Sequence, residues 1–127
     1  MRRIQSIFFL LVIVTMTAPV AHASLSTPTG LSLGDQFHWA FVTGVIHNAE
    51  STDIGDYNAY VTEDAKNGVL TAEVAGDWKV IGSTASVNAS ENVGNITHPI
   101  YNLADELVAA NGADLFDGNN LTNPIDR

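Results

Sequence analysis

The hydrophobic pattern changes period along the chain. Residues 7–14 (IFFLLVIV) form an unbroken apolar run without a charge. Residues 37–43 (FHWAFVT) alternate, with Phe37, Trp39 and Phe41 on one side and His38, Ala40 and Val42 on the other, which predicts a strand. From Ile54 the spacing lengthens. Ile54, Tyr57, Val61 and Ala65 fall on one helical face while Asp56, Glu63 and Asp64 lie elsewhere, predicting a helix over 53–66. Thr52 or Asp53 supplies the cap, and Asn67-Gly68 the stop, since either tolerates the left-handed conformation that ends helices.

A weaker segment at 69–74 fits helix or strand, and Gly76-Asp77 turns into residues 78–81 (WKVI), a predicted strand rich in β-formers. Polar residues make 88–97 a loop, whereas 99–103 (PIYNL) alternates again as a short strand, placed at a sheet edge because Pro99 has no N–H. Residues 109–127 are rich in turn dipeptides. Strands and one main helix in irregular order predict an α+β fold with short antiparallel strands and long loops.

The apolar run at 7–14 follows Arg2 and Arg3 and precedes Ala21-His22-Ala23, which puts small residues at the −3 and −1 positions of a signal-peptidase site. Residues 1–23 therefore read as a cleavable signal peptide, cut between Ala23 and Ser24. An uncleaved membrane helix would need about 20 consecutive apolar residues. Residues 24–35 read as a flexible, solvated leader, and 36–127 as a single small domain. The expected destination is secreted or extracytoplasmic, with no stable membrane anchor in the mature chain.

Charge narrows the partners. All 14 acidic residues follow the signal, leaving Lys66, Lys79 and Arg127 opposite them, so the mature formal charge is 3 minus 14, or −11. Such a surface repels phosphate backbones, which excludes nucleic-acid binding as a main function. The chain has no cysteine, so neither disulfides nor thiolate chemistry is available.

The order of these segments resembles a known family. The strand ending in Phe41-Val42-Thr43, the helix with its Asp56-Tyr57-Asn58-Ala59 centre and the segment Trp78 to Thr84 carry the likeness. So, above all, do Pro99-Ile100-Tyr101-Asn102-Leu103, Ala113-Asp114-Leu115-Phe116-Asp117-Gly118 and Leu121-Thr122-Asn123-Pro124-Ile125. Together, over about residues 36–126, they are similar to exported bacterial proteins of unknown function with the DUF1554-type, C-type-lectin-like domain, many of which carry a C-terminal PEP-CTERM anchor. The resemblance implies a partial C-type-lectin-like domain, since such domains continue past the Asn-Pro-Ile segment, and the chain is expected to be an N-terminal part, either a natural short form or a truncated one. It carries over no catalytic residues. The Glu-Pro-Asn and Trp-Asn-Asp sugar motifs of true C-type lectins are absent from the sequence, so sugar binding is an analogy of fold.

Candidate chemistry is sparse. His38, His47 and His98 show no HExxH or H-x-H spacing, and each is expected to be solvated or satisfied in the core. Asp114, Asp117 and Asn119, with Asn120 and Asp126 nearby, are the calcium candidates, although only Asp114 and Asp117 precede Gly118, too few for an EF-hand loop. Such clusters are commonly plain turns. Ser83, Ser86 and Ser90 lack the G-x-S-x-G context of a nucleophile elbow. Trp39, Trp78 and Tyr101 could stack on sugar rings, but burial in so small a domain favours the core for both tryptophans. Sequons at 88–90, 95–97 and 120–122 matter only in a eukaryotic secretory pathway.

The resulting expectation is an exported, non-enzymatic surface or extracellular interaction domain whose partner is a glycan or a protein, with no cofactor other than candidate calcium. A secreted hydrolase with an unrecognised carboxylate site and a nonfunctional truncated fragment are the alternatives.

Overall fold

The computed structural model describes residues 25–74 and 76–126; the signal segment and its cleavage point at Ala23 and Ser24 lie outside the described residues. The order of elements is β1 (His38–Ala40), α1 (Ile54–Asn67), a 3-10 turn (Thr71–Glu73), α2 (Ala89–Val93), β2 (Ile100–Asn102), β3 (Leu107–Ala109) and α3 (Gly112–Leu115). This is a mixed α+β arrangement. No helix among the described residues is long and apolar enough to cross a membrane.

The strands form one three-stranded sheet in the order β1-β2-β3. The expectation of antiparallel strands holds for β2 with β3 and fails for β1 with β2, which run parallel with His38 opposite Ile100 and Ala40 opposite Asn102. A parallel pair needs a long crossover, and everything from Phe41 to Pro99, α1 included, supplies it. The segment at 99–103 is also not an edge strand: β2 is central. Pro99 stands just before the strand and contributes its carbonyl, which accepts from the His38 N–H at 2.9 Å, so the missing proline N–H costs the sheet nothing.

One face of the sheet is the core. Ala40, Ile100, Val108 and Ala109 are buried together, and Ile96, Leu115, Leu121 and Ile125 pack against them. Full burial of the Val108 side chain is worth about 2 kcal/mol. The aromatic face is the other one. Phe37 meets Trp39 edge-on at 5.2 Å and Tyr101 at 6.2 Å, and all three rings are only half-buried. Trp78 is likewise half-buried, edge-on to Phe41 at 4.8 Å. The expectation that Trp39 and Trp78 belong to the core is therefore corrected. Side chains alternate across a strand, and the face holding Ala40 and Ile100 is the one that the C-terminal segment covers.

That covering segment protects β3 as well. The Thr122 N–H donates to the Val108 carbonyl at 2.9 Å and the Asn123 side-chain amide to the Leu107 carbonyl at 2.9 Å, so the outer edge of the sheet is partly paired. Between β2 and β3 the chain turns through Asp105, whose φ of 66° lies in the left-handed region that Asp tolerates better than most residues. Its carboxylate accepts from the Thr29 N–H at 2.9 Å and from the Thr29 hydroxyl. Pro28 beside it is fully buried. This part of the 24–35 stretch is thus fixed to the domain.

Helix α1 begins as its sequence dictates. Asp53 caps it by accepting from the Gly55 N–H at 2.8 Å, and Val61 and Ala65 are buried on its inner face. Its end has a different cause from the one expected. Gly68 is extended, with φ −77° and ψ 143°, not left-handed. Glycine fits there because a Cβ would overlap the Thr71 hydroxyl, which donates to the Ala65 carbonyl at 2.6 Å.

Residues 78–81 form no strand. Their backbone pairs with side chains instead: the Thr62 hydroxyl accepts from the Trp78 N–H at 3.0 Å, and the Asn58 carboxamide oxygen accepts from the Val80 N–H at 2.9 Å. The two helical residues stand four apart and so share a face. The expected loop at 88–97 contains α2, started by Glu91, whose carboxylate accepts from the Asn88 N–H at 2.9 Å. The turn-rich C-terminal stretch begins with the last residue of β3 and contains α3, capped by Asn111 accepting from the Asp114 N–H at 3.0 Å.

Candidate functional site

The first turn of α1 and the segment 80–85 face each other across a cleft of about 350 Å³. One wall carries Ser51, Thr52 and Tyr57; the other carries Val80, Ser83 and Thr84. No carboxylate, lysine, arginine or histidine is among the lining residues. The volume lies at the small end of the range for ligand pockets.

Local hydrogen bonds fix both walls. The Tyr57 hydroxyl donates to the Ser51 carbonyl at 3.0 Å, and the Ser51 hydroxyl donates to Asp56 Oδ2 at 2.6 Å while accepting from the Asp53 N–H at 3.1 Å. On the opposite side Ser83 Oγ accepts from the Ala89 N–H at 2.9 Å, and the Thr84 N–H donates to the Val87 carbonyl at 2.9 Å. The Thr52 hydroxyl has no hydrogen-bond partner among the described residues and is exposed at the rim. The cleft thus offers hydroxyl groups and the half-buried Tyr57 ring, with mixed polar and apolar walls. Such a surface can hold a neutral, hydroxyl-bearing ligand by hydrogen bonds and ring contact.

A second hollow of about 380 Å³ lies between the end of β1 and the C-terminal end of α1, lined by Phe41, Val42, Asp64, Val69, Leu70 and Leu103 among others. Asp64 there accepts from the Gly44 N–H at 3.0 Å, which ties the loop after β1 to α1.

The histidines are arranged differently from their spacing in sequence. His47 stacks on Tyr60 of α1 at 4.1 Å and 20°, so it helps dock its loop. His38 and His98, by contrast, face each other at 6.3 Å between ring centroids with 30° between planes. Parallel pairing of β1 with β2 brings them near each other, because His98 stands two residues before Ile100, the partner of His38. His38 is held below the ordinary histidine pKa, first by partial burial and second by the neighbouring His98. The pair follows from the parallel register of the strands, which spacing motifs alone could not reveal.

The calcium candidates are partly brought together. Asp117 Oδ1 accepts from the Asn119 N–H at 2.8 Å and its Oδ2 from the Asn119 amide at 2.7 Å. These bonds hold Asp117 below the usual carboxylate range. Asp114 turns instead to the Ala110 N–H at 2.7 Å, bridging the end of β3 and the start of α3. Among the described residues no group of three or more His, Asp or Glu side chains is gathered that could hold a metal ion. Ser83, Ser86 and Ser90 fall on turns and α2, and Ser83 alone lines the cleft.

Comparison with known proteins finds no matching family model, no matching curated protein and no matching solved structure.

Proposed function

We propose that the chain is an exported, non-enzymatic interaction domain, and that the cleft between α1 and residues 80–85 is its binding site for a neutral glycan unit. The observation that carries this reading is the make-up of that cleft, with Ser51, Thr52, Ser83 and Thr84 hydroxyls around the Tyr57 ring and no carboxylate, lysine, arginine or histidine in the lining. Catalysis of hydrolysis asks for a positioned nucleophile and base or a pair of carboxylates, whereas ligand holding asks for shape and a few fixed polar groups. The signal-peptide pattern at 1–23 and the resemblance to exported C-type-lectin-like domains support the compartment and the kind of partner.

A glycan array and a broad hydrolase panel on the same protein test it together. The expected result is binding to neutral glycans without turnover. Turnover without glycan binding would replace the reading with that of a secreted hydrolase. Ser83→Trp, which fills the cleft from its rim, is expected to abolish binding while leaving the unfolding transition in place. Binding unaffected by this substitution would move the site elsewhere. N-terminal sequencing of the exported protein should begin at Ser24. Calcium at Asp114, Asp117 and Asn119 is tested by calorimetry, where no heat and no shift in melting would remove it.

A further inference from the structure

The three histidines of the described residues differ in what surrounds them. His47 is exposed but rests against two tyrosines, at 4.1 Å from Tyr60 and 6.2 Å from Tyr57. His38 and His98 have only each other. Neither imidazole takes part in a hydrogen bond among the described residues, so their four ring nitrogens have no protein partner. His38 is exposed and His98 half-buried, which leaves the space between them open to solvent. Beside the start of the parallel pair, two imidazoles thus stand near each other without a hydrogen bond to the described residues.

We propose that His38 and His98 together bind a borderline divalent transition cation, Cu²⁺ most tightly, with water completing the coordination. Imidazole is the side chain suited to Cu, Ni and Zn, and the order of divalent affinities puts Cu²⁺ first.

The distance is the first check. A metal–nitrogen bond of about 2.0–2.1 Å, plus about 1.1 Å from nitrogen to ring centre, puts a shared cation about 3.2 Å from each centroid. Rings ligating from opposite sides then stand about 6.3 Å apart, and rings at a tetrahedral angle about 5.2 Å apart. The observed 6.3 Å is the outer limit of this range. His38 is at the surface, so turning its side chain moves the ring inward by the remaining distance of about 1 Å without disturbing the strand.

Charge and coordination number shape the rest. The chain carries a formal charge of −9, which concentrates cations around it. With no third His, Asp or Glu grouped there among the described residues, the site has two protein ligands and open positions. It would therefore exchange its cation readily and would not be a structural metal centre of the closed, four-ligand kind.

Titration of the full chain with Cu²⁺ at pH 7.5 in a non-chelating buffer, followed by calorimetry and by electron paramagnetic resonance, tests the site. One Cu²⁺ per chain is expected, with nitrogen coupling from two imidazoles in the spectrum. His38→Ala and His98→Ala should each weaken binding at least tenfold, because one imidazole loses the advantage of the second held beside it. His22→Ala and His47→Ala should leave it unchanged. A loss of less than tenfold in either of the first two variants overturns the proposal. So does a wild-type spectrum lacking two-nitrogen coupling, a readout that stands even where a variant fails to fold.

Discussion

Asn58 on α1 and Asn92 on α2 are joined by a reciprocal pair of carboxamide hydrogen bonds, 2.7 Å from Asn58 to Asn92 and 2.8 Å in return. Both amides also grip the main chain of Val80: Asn58 accepts its N–H at 2.9 Å, and Asn92 donates to its carbonyl at 2.8 Å. Two side chains thereby do for Val80 what a neighbouring strand would do, and they set the wall of the proposed cleft. A main-chain segment without a ladder must place its polar groups somewhere, and here they go to amides projecting from two helices.

Asn92→Ala should therefore destabilise the fold by about 1–3 kcal/mol, as the Val80 carbonyl and the Asn58 amide lose their partners at a half-buried site. The double variant with Asn58→Ala should cost less than the sum of the two single changes, by about 0.5–3 kcal/mol. Urea unfolding of the four proteins gives the coupling directly. Additive losses would mean that the two amides act independently.

Asn102 has the greater stake. It is fully buried, donating to Glu106 Oε2 at 3.0 Å and to the Pro124 carbonyl at 2.9 Å, and accepting from the Ala104 and Glu106 N–H groups at 3.1 and 3.0 Å. It thus closes the β2–β3 turn and ties down the C-terminal segment that covers the core. Asn102→Ala takes the partner from several part-buried groups, at up to about 1–3 kcal/mol each, against a total stability of about 5–15 kcal/mol for a domain. Loss of a cooperative thermal transition, or a fall of more than about 3 kcal/mol, is expected. A change below about 1 kcal/mol would show that this hub is dispensable.

Gly68→Ala should destabilise, although replacing glycine at an ordinary φ usually helps by restricting the unfolded chain. The added Cβ collides with the Thr71 hydroxyl in a buried spot, and overpacking of this kind costs about 1–3 kcal/mol. In a Thr71→Ser background, where the hydroxyl is freer to turn, part of that loss should return. Melting temperatures of the two single variants and the double variant decide it; a Gly68→Ala protein more stable than the parent would remove the clash as the cause.

How much of this was legible in the sequence varies with how local the cause is. Helix α1 follows from the three- and four-residue spacing of Ile54, Tyr57, Val61 and Ala65 and from the Asp53 cap, all within one segment. The alternating runs around Trp39 and Tyr101 gave strands at the right places. Their partners did not follow, since a run of three residues such as His38–Ala40 carries no mark of parallel or antiparallel pairing. Trp78-Lys79-Val80-Ile81 has strand composition, yet its hydrogen-bond partners are Asn58, Thr62 and Asn92, distant side chains that no periodicity exposes. Helix α2 was hidden by its polar composition, although Asn88 with Glu91 three residues on was a readable capping pair. The candidate cleft and the histidine pair depend on segments far apart in the chain, so only the fold assembles them.

Tyr60 offers a test of an unsatisfied group. Its hydroxyl is buried without a hydrogen-bond partner among the described residues, while its ring stacks on His47. Tyr60→Phe keeps the ring contact and removes the orphan, so stability should stay level or rise by about 1 kcal/mol. A loss of more than about 1 kcal/mol on chemical unfolding would mean that the hydroxyl has a partner after all.

Lowering the pH should loosen the metal-free chain near His38. Its folded pKa is depressed from 6.5, by partial burial first and by the neighbouring His98 second. The folded state therefore binds fewer protons than the unfolded state between the depressed value and 6.5. The contribution is fully present above 6.5 and declines as pH falls through that window. Melting temperature in the presence of a chelator should thus drop on going from neutral pH into this range, and His38→Asn should flatten the drop. Following the His38 ring protons by NMR separates the two causes. In His98→Ala the titration should move upward, because one repelling neighbour is gone, yet stay below the unperturbed value, because burial is the larger effect. A midpoint that does not move in His98→Ala would show that the two rings, though 6.3 Å apart, do not sense each other's charge.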